Sequence, residues 1–241
     1  RMDHQVHDGV GGVGMEGTDA WLPLLPSALS YPVGTVLMEQ GCDPGDVFYV
    51  EEGLAKLVRT GSDGREQILG LRGPGWFLGA ALVLTFRAHP ASTIAVTSCR
   101  LRRLTRQAFL DLMAQHEGLS WHVHQMHSRE VLSQFQQMAD LGTATSRQRL
   151  ERFLRRFTGA APANGNGGGV RLSLPLKRWE LASLLAVTPE HLSRLLRRLR
   201  DDGVIRVTDG AIVVPDVRRL AADDVDEGGV LTNPVDALGR A

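Results

Sequence analysis

The chain has 241 residues, 27 Lys and Arg balanced by 27 Asp and Glu, with 43% hydrophobic and 22% charged residues, the profile of a globular protein of one large or two ordinary domains. Its longest apolar run, Trp76 to Leu84, is far too short to span a bilayer, and no basic-then-apolar signal opens the chain, so no membrane partner is expected. Two cysteines, Cys42 and Cys99, exclude a disulfide framework and a four-cysteine metal or iron–sulfur site; they read as two unrelated thiols in a reducing cytoplasm rather than a redox pair.

Residues 1–20 are glycine-rich and polar and read as a disordered leader. Tyr31 to Leu104 reads as short strands punctuated by glycine, with alternation in "LAKLVR" and "TIAVTSCRLRRL", which predicts a barrel, sandwich or roll. From Thr105 the period lengthens. Thr105 caps a short helix carrying Phe109, Leu112 and Met113 on one side. A longer helix spans roughly Leu119 to Leu141. Leu119, Val123, Met126, Val131, Phe135 and Met138 form a narrow stripe, broken near Ser128 to Glu130, that suits a seam between two copies of the helix. Ser146 to Phe157 forms another helix, and "GAAPANGNGGG" reads as a flexible loop.

After the strand "VRLSL" come two short helices joined by "AVT", then the hairpin "VIRVTDGAIVVP" turning at Asp209-Gly210. That order is a winged helix-turn-helix. In the second helix Leu192, Leu195, Leu196 and Leu199 repeat at helical spacing, and Glu190, Ser193, Arg194 and Arg197 repeat at the same spacing two residues earlier. Two residues are about 200° of rotation, so the polar set lies opposite the leucines. Thr188 caps this helix and Pro189 takes its first position, where no N–H is needed. The polar positions on the first two turns are those that reach base edges in a major groove. Thr188, His191, Arg197, Lys177 and Arg178 are candidates for DNA-backbone or secondary contacts. Between Leu141 and Arg206 thirteen basic residues face five acids, although the chain as a whole is neutral; such a block points to a polyanion.

The glycine-punctuated roll, the long helix and "ELASLLAVTPEHLSRLLRRLRDDGVI" together resemble the Crp/Fnr transcription regulators, over about Leu29 to Val214. The resemblance implies an α+β protein in which an N-terminal antiparallel β-roll is followed by a long dimerisation helix and a C-terminal winged helix-turn-helix. The corresponding boundaries are a leader at 1–20, a β-roll effector domain at 21–117, a dimerisation helix at 118–141, a DNA-binding domain at 142–216 and an acidic tail at 217–241. It further implies a homodimer on a palindromic DNA duplex, with RNA polymerase as a further partner. By resemblance to Fnr-type members, Glu190, Ser193 and Arg194 read a TTGAT-like half-site. One departure lies in the turn: the family usually has glycine where Ala186 stands, a change that costs little unless the backbone there needs positive φ.

The ligand pocket departs further. Cyclic-AMP-binding members carry a Gly-Glu pair, followed about ten residues later by Arg-Ser, to hold ribose and phosphate. Here Gly79 is followed by Ala80, while His89 and Pro90 fall at the Arg-Ser positions, with Arg87 and Ser92 nearby. Alanine offers no acceptor for a ribose, so cyclic AMP is not expected as the effector; another anion or a cyclic dinucleotide in the roll, or no ligand, remains open. His124 and His127, on one helix face, are candidates for haem in a gas or redox sensor of the same family, against an ordinary histidine patch. An enzyme or a ligand-sensing subunit without DNA binding finds no support in any nucleophile–base constellation, metal-ligand spacing or phosphate loop. Non-specific nucleic-acid binding is the third class.

Overall fold

The fold comes from a computed structural model that describes residues 20–158, 169–208 and 211–221. The expected leader up to residue 19, the glycine-rich loop up to residue 168, the Asp209-Gly210 turn and the tail from 222 lie outside the described residues.

The N-terminal half contains β1 (Leu29–Tyr31), β2 (Val36–Met38), β3 (Asp46–Glu52), β4 (Ala55–Thr60), β5 (Glu66–Arg72), β6 (Phe77–Leu78), β7 (Ser92–Ala95) and β8 (Cys99–Thr105), with the short helix α1 (Ala80–Thr85) between β6 and β7. They form two four-stranded antiparallel sheets, ordered β1-β8-β3-β6 and β2-β7-β4-β5. Alternation in β8 places Cys99 and Leu101 in the core with Phe48 and Val50, puts Leu104 on the opposite face against Val47 and Phe109, and leaves Arg100 and Arg103 to solvent. Helix α1 was not expected: the apolar run that reads as strand turns helical after Gly79, whose φ of +85° breaks the extended backbone.

Helix α2 (Arg106–Gln115) starts as predicted, with the Thr105 hydroxyl accepting the Ala108 N–H at 3.3 Å. The long helix α3 (Glu117–Thr143) follows. Its apolar residues do not form one seam. Leu119, Val123 and Met126 are only 0%, 1% and 7% exposed and pack into the roll beside Trp21, Phe77 and Phe109, whereas Val131, Phe135 and Met138 are 53%, 64% and 68% exposed. The expectation of a single six-residue stripe is therefore corrected. At 100° per residue the exposed set is rotated by roughly 120° from the buried one. The break at Ser128 to Glu130 is where one apolar face hands over to the other. On the exposed face Trp121, His124, Ser128, Val131, Phe135 and Met138 follow the alternating three- and four-residue steps of a coiled-coil seam; Trp121, omitted from the sequence-based stripe, is exposed there.

The C-terminal half comprises α4 (Ser146–Thr158), β9 (Val170–Leu172), α5 (Arg178–Leu184), α6 (Pro189–Asp201), β10 (Arg206–Thr208) and β11 (Ala211–Val214), with the strands ordered β10-β11-β9. Leu150, Leu154 and Phe157 of α4 share a core with Leu181 and Leu185 and with Leu192, Leu195 and Leu199 of α6. That core reaches Leu54 and Leu71 of the roll. Two polar links reinforce the junction, the Lys56–Glu180 ion pair and the Ile68 N–H donating to Ser183 Oγ at 2.9 Å, while Arg72 of β5 pairs with Glu130 of α3 at 2.6 Å. Residues 217–221, expected to begin a loose tail, instead pack. Asp216 caps a short 3-10 turn, Leu220 is buried in the core, and the Ala221 N–H donates to Glu151. The apolar pair Val217 and Leu220, three residues apart, accounts for this.

Candidate nucleic-acid interface

The turn before α6 begins where α5 ends. The Val187 N–H donates to Ala182 O and the Ala186 N–H to Ser183 O, both at 3.0 Å, the two bonds of a Schellman closure. That closure needs a left-handed residue, and Ala186 supplies it with φ of +51°. Alanine in that region costs about 1–2 kcal/mol, part of which glycine would return as greater freedom of the unfolded chain. The condition under which the departure from glycine carries a cost, a positive φ, is thus met. Ala186→Gly should stabilise the fold by about 0.5–1 kcal/mol, read as a higher denaturant midpoint at unchanged slope; a lower midpoint would contradict the strained turn.

Beyond the turn Thr188 has extended backbone, and its hydroxyl accepts the His191 N–H at 3.2 Å; Pro189 opens α6. Leu192, Leu195 and Leu199 are buried, while Glu190, Arg194 and Arg197 on the other side are exposed. The first two turns of α6 therefore project charged side chains away from the core. The Glu190 carboxylate is held below its usual range, chiefly by a hydrogen bond from its own backbone N–H, then by the Thr188 hydroxyl and by the charge of Arg194. It is an ionised acceptor.

Ser193 is half-buried; its hydroxyl donates to Pro189 O at 2.8 Å and accepts from Arg178 Nη1 at 3.0 Å. Arg178, the first residue of α5, thus reaches across to α6. Lys177 is exposed, and its N–H donates to Glu180 Oε2 at 2.7 Å. His191 is half-buried with its N–H used by the cap.

Several arginines of the basic block serve the protein itself. Arg147 pairs with Glu151 at 2.8 Å and with Asp202, and Arg152 pairs with Asp140. Arg149 donates to Leu185 O and Ala144 O, and Arg155 to Leu220 O. Spacing signals the Arg147–Glu151 pair, four residues apart on α4, but not Asp202, Asp140, Leu185 or Leu220, which come from other segments. Lys177, Arg178, Arg194 and Arg197 remain exposed around α5 and α6.

The six effector-pocket candidates do not converge. A Cβ on Gly79 would stand 2.8 Å from Met38 Cε, and Ala80 is fully buried. Arg87 and Pro90 are exposed, and the Ser92 hydroxyl accepts the Gln40 N–H at 3.0 Å. His89 is buried, its N–H donating to Cys42 O and its carbonyl accepting from Gly41. It alone of the six lines a cleft of about 360 Å³ shared with Glu39, Asp43 and Asp46. Burial pushes the His89 imidazole below its usual range, so this cleft presents carboxylates beside a neutral ring.

His124 is exposed with Nδ1 at 2.7 Å from Ser120 O; His127 is half-buried, its imidazole lowered by burial and then by the charge of His124. Among the described residues no group of three or more His, Cys, Asp or Glu is placed to hold a metal ion. Cys42 is exposed and Cys99 buried, both as free thiols.

Residues 28–116 match the cyclic nucleotide-binding domain and residues 143–223 the Crp-like helix-turn-helix domain. The transcriptional activator protein FnrL of Cereibacter sphaeroides is 30% identical over 206 residues, covering 83% of this chain and 82% of that protein. The cyclic AMP receptor protein of Thermus thermophilus is 27% identical over 191 residues, 79% of this chain and 84% of that one. The structure of FixK2 from Bradyrhizobium japonicum superposes with a TM-score of 0.71 at 22% identity, over 84% of this chain and 98% of that one, which supports the fold. With its antiparallel roll, long helix and helix-turn-helix, the chain belongs to the Crp/Fnr family of transcription regulators.

Proposed function

We propose that the protein is a homodimeric, sequence-specific regulator that reads a palindromic duplex with two copies of α6. The observation that carries this reading is the division of α6 into a buried leucine face and an exposed face bearing Glu190, Arg194 and Arg197. Arg194 bonds guanine O6 and N7, Glu190 accepts from cytosine N4, and the Ser193 hydroxyl, held by Arg178, adds a third contact. Arg197, Lys177, Arg178, Thr188 and His191 lie where they meet phosphate or secondary positions. The exposed seam of α3 pairs with its copy and sets the two recognition helices about one helical turn apart. By resemblance to Fnr-type members, the Glu-x-x-Ser-Arg set implies a TTGAT-like half-site. Within the cytoplasm the further partner is RNA polymerase.

The roll does not answer to cyclic AMP in the usual way. Ala80 has no acceptor for a ribose, and the acidic cleft at His89 repels a phosphate. Fluorescence anisotropy with a palindrome of TTGAT half-sites and a scrambled duplex tests both statements. The palindrome should bind at least about a thousandfold tighter, and millimolar cyclic AMP should leave the isotherm in place. Equal binding of the two duplexes would refute specific reading; tightening by cyclic AMP would refute the second statement.

A further inference from the structure

A serine hydroxyl has one proton to donate and two lone pairs that accept. At Ser193 the proton goes to Pro189 O at 2.8 Å, one turn back along α6, and one lone pair accepts from Arg178 Nη1 at 3.0 Å. Three directions surround the oxygen beyond its own carbon. Pro189 O, which only accepts, takes the first, and the Arg178 guanidinium, which only donates, takes the second. The third holds the remaining lone pair. At 100° per residue Ser193 lies about 60° around α6 from Glu190 and about 40° from Arg197, so this lone pair belongs to the face that carries the charged side chains.

An unengaged serine turns its hydroxyl to suit a donor or an acceptor, and so prefers no base by itself. Fixed as an acceptor, it fits only an exocyclic amine. In the major groove these are N6 of adenine and N4 of cytosine, whereas guanine presents O6 and N7 and thymine O4, all acceptors. An acceptor set against an acceptor leaves both unpaired. Arg178 comes from the first turn of α5, a different helix, so no spacing within α6 announces its part. A guanidinium has five N–H donors; a phosphate contact from the same side chain is compatible with this role and adds affinity without preference.

We propose that Arg178 is a positioning residue for base recognition: it fixes the Ser193 hydroxyl as an acceptor, so that Ser193 selects a base pair presenting an exocyclic amine. This role rests on the reading in which α6 enters the major groove.

Fluorescence anisotropy with the TTGAT palindrome tests it. Adenines are replaced one position at a time, in both half-sites, by purine, which lacks the N6 amine, and cytosines by pyrimidin-2-one, which lacks the N4 amine. For the parent protein an amine other than that of the cytosine read by Glu190 should prove necessary, its removal weakening binding about fivefold or more. Ser193→Ala should bind the intact and the amine-free duplex alike at that position. Arg178→Met, which keeps the stem and loses the donors, should shrink the same difference while the loss at the Glu190 cytosine persists. Lys177→Met, which removes the neighbouring cation, should weaken every duplex by one common factor and keep the difference at the Ser193 position. Circular dichroism melting reads whether each variant is folded. The proposal is overturned if no amine depends on Ser193, or if Arg178→Met lowers affinity by one common factor and leaves that difference intact. Equal binding of the palindrome and a scrambled duplex removes base reading and this role with it; a preferred palindrome without a Ser193-dependent amine removes this role alone.

Discussion

Phe135→Glu is expected to convert the protein from dimer to monomer at micromolar concentration and to reduce its affinity for the palindrome about a thousandfold or more, to the level of bulk DNA. Phe135 is exposed in the single chain and sits in mid-seam on α3. Two-fold symmetry doubles every change at such a position. Each copy forfeits about 1.5–3 kcal/mol of aromatic burial, and the incoming carboxylate is forced into an apolar contact facing its own copy. Melting of the isolated fold should barely change, since the ring packs against nothing buried. Leu119→Ala supplies the contrast. That side chain is fully buried against the roll, so its truncation should cost about 2–5 kcal/mol of stability and leave the dimer constant alone. Sedimentation equilibrium and denaturant melts read the two effects separately. A dimeric Phe135→Glu, or a Leu119→Ala that dissociates without losing stability, would reverse the assignment of the two faces.

Arg194→Ala should lose about 1–3 kcal/mol on the palindrome, a factor of roughly five to one hundred and fifty, and little on random duplex. Arg194 is exposed, on the side of α6 away from the buried leucines, so the loss is one of recognition and not of folding. Arg197→Ala should instead weaken all duplexes alike and flatten the dependence of affinity on salt, as expected for a phosphate contact. Competition titrations at two salt concentrations distinguish these outcomes. An equal loss on both duplexes for Arg194→Ala would remove it from the reading role.

The recognition helix was legible because its information is local. Thr188, Pro189 and two interleaved sets at helical spacing fall within one short stretch, and caps and periodicity act over single turns. The same held for the alternation of β8 and the Thr105 cap. What was not legible depends on distant segments. Leu119 and Phe135 look alike in sequence, yet one faces Trp21 and Phe77 across the roll while the other faces outward. Similarly, Arg149 and Arg152 read as part of a DNA-binding block until Leu185 and Asp140 are brought to them. Ala186 hides a left-handed backbone that only the Schellman closure reveals. Among the effector candidates, the missing carboxylate at Ala80 was plain, but its burial and the acidity of the cleft beside His89 were not.

Selection of a base sequence by the exposed side of α6 is what the proposed regulator requires. Repeated selection of bound duplexes from a randomised pool by the full-length protein tests it most directly. Enrichment of an inverted repeat with half-sites about 10 base pairs apart, shifting or vanishing for the Glu190→Ala, Arg194→Ala double variant, is the predicted result. A pool that stays unsorted after selection, or one sorted identically by the double variant, would contradict it.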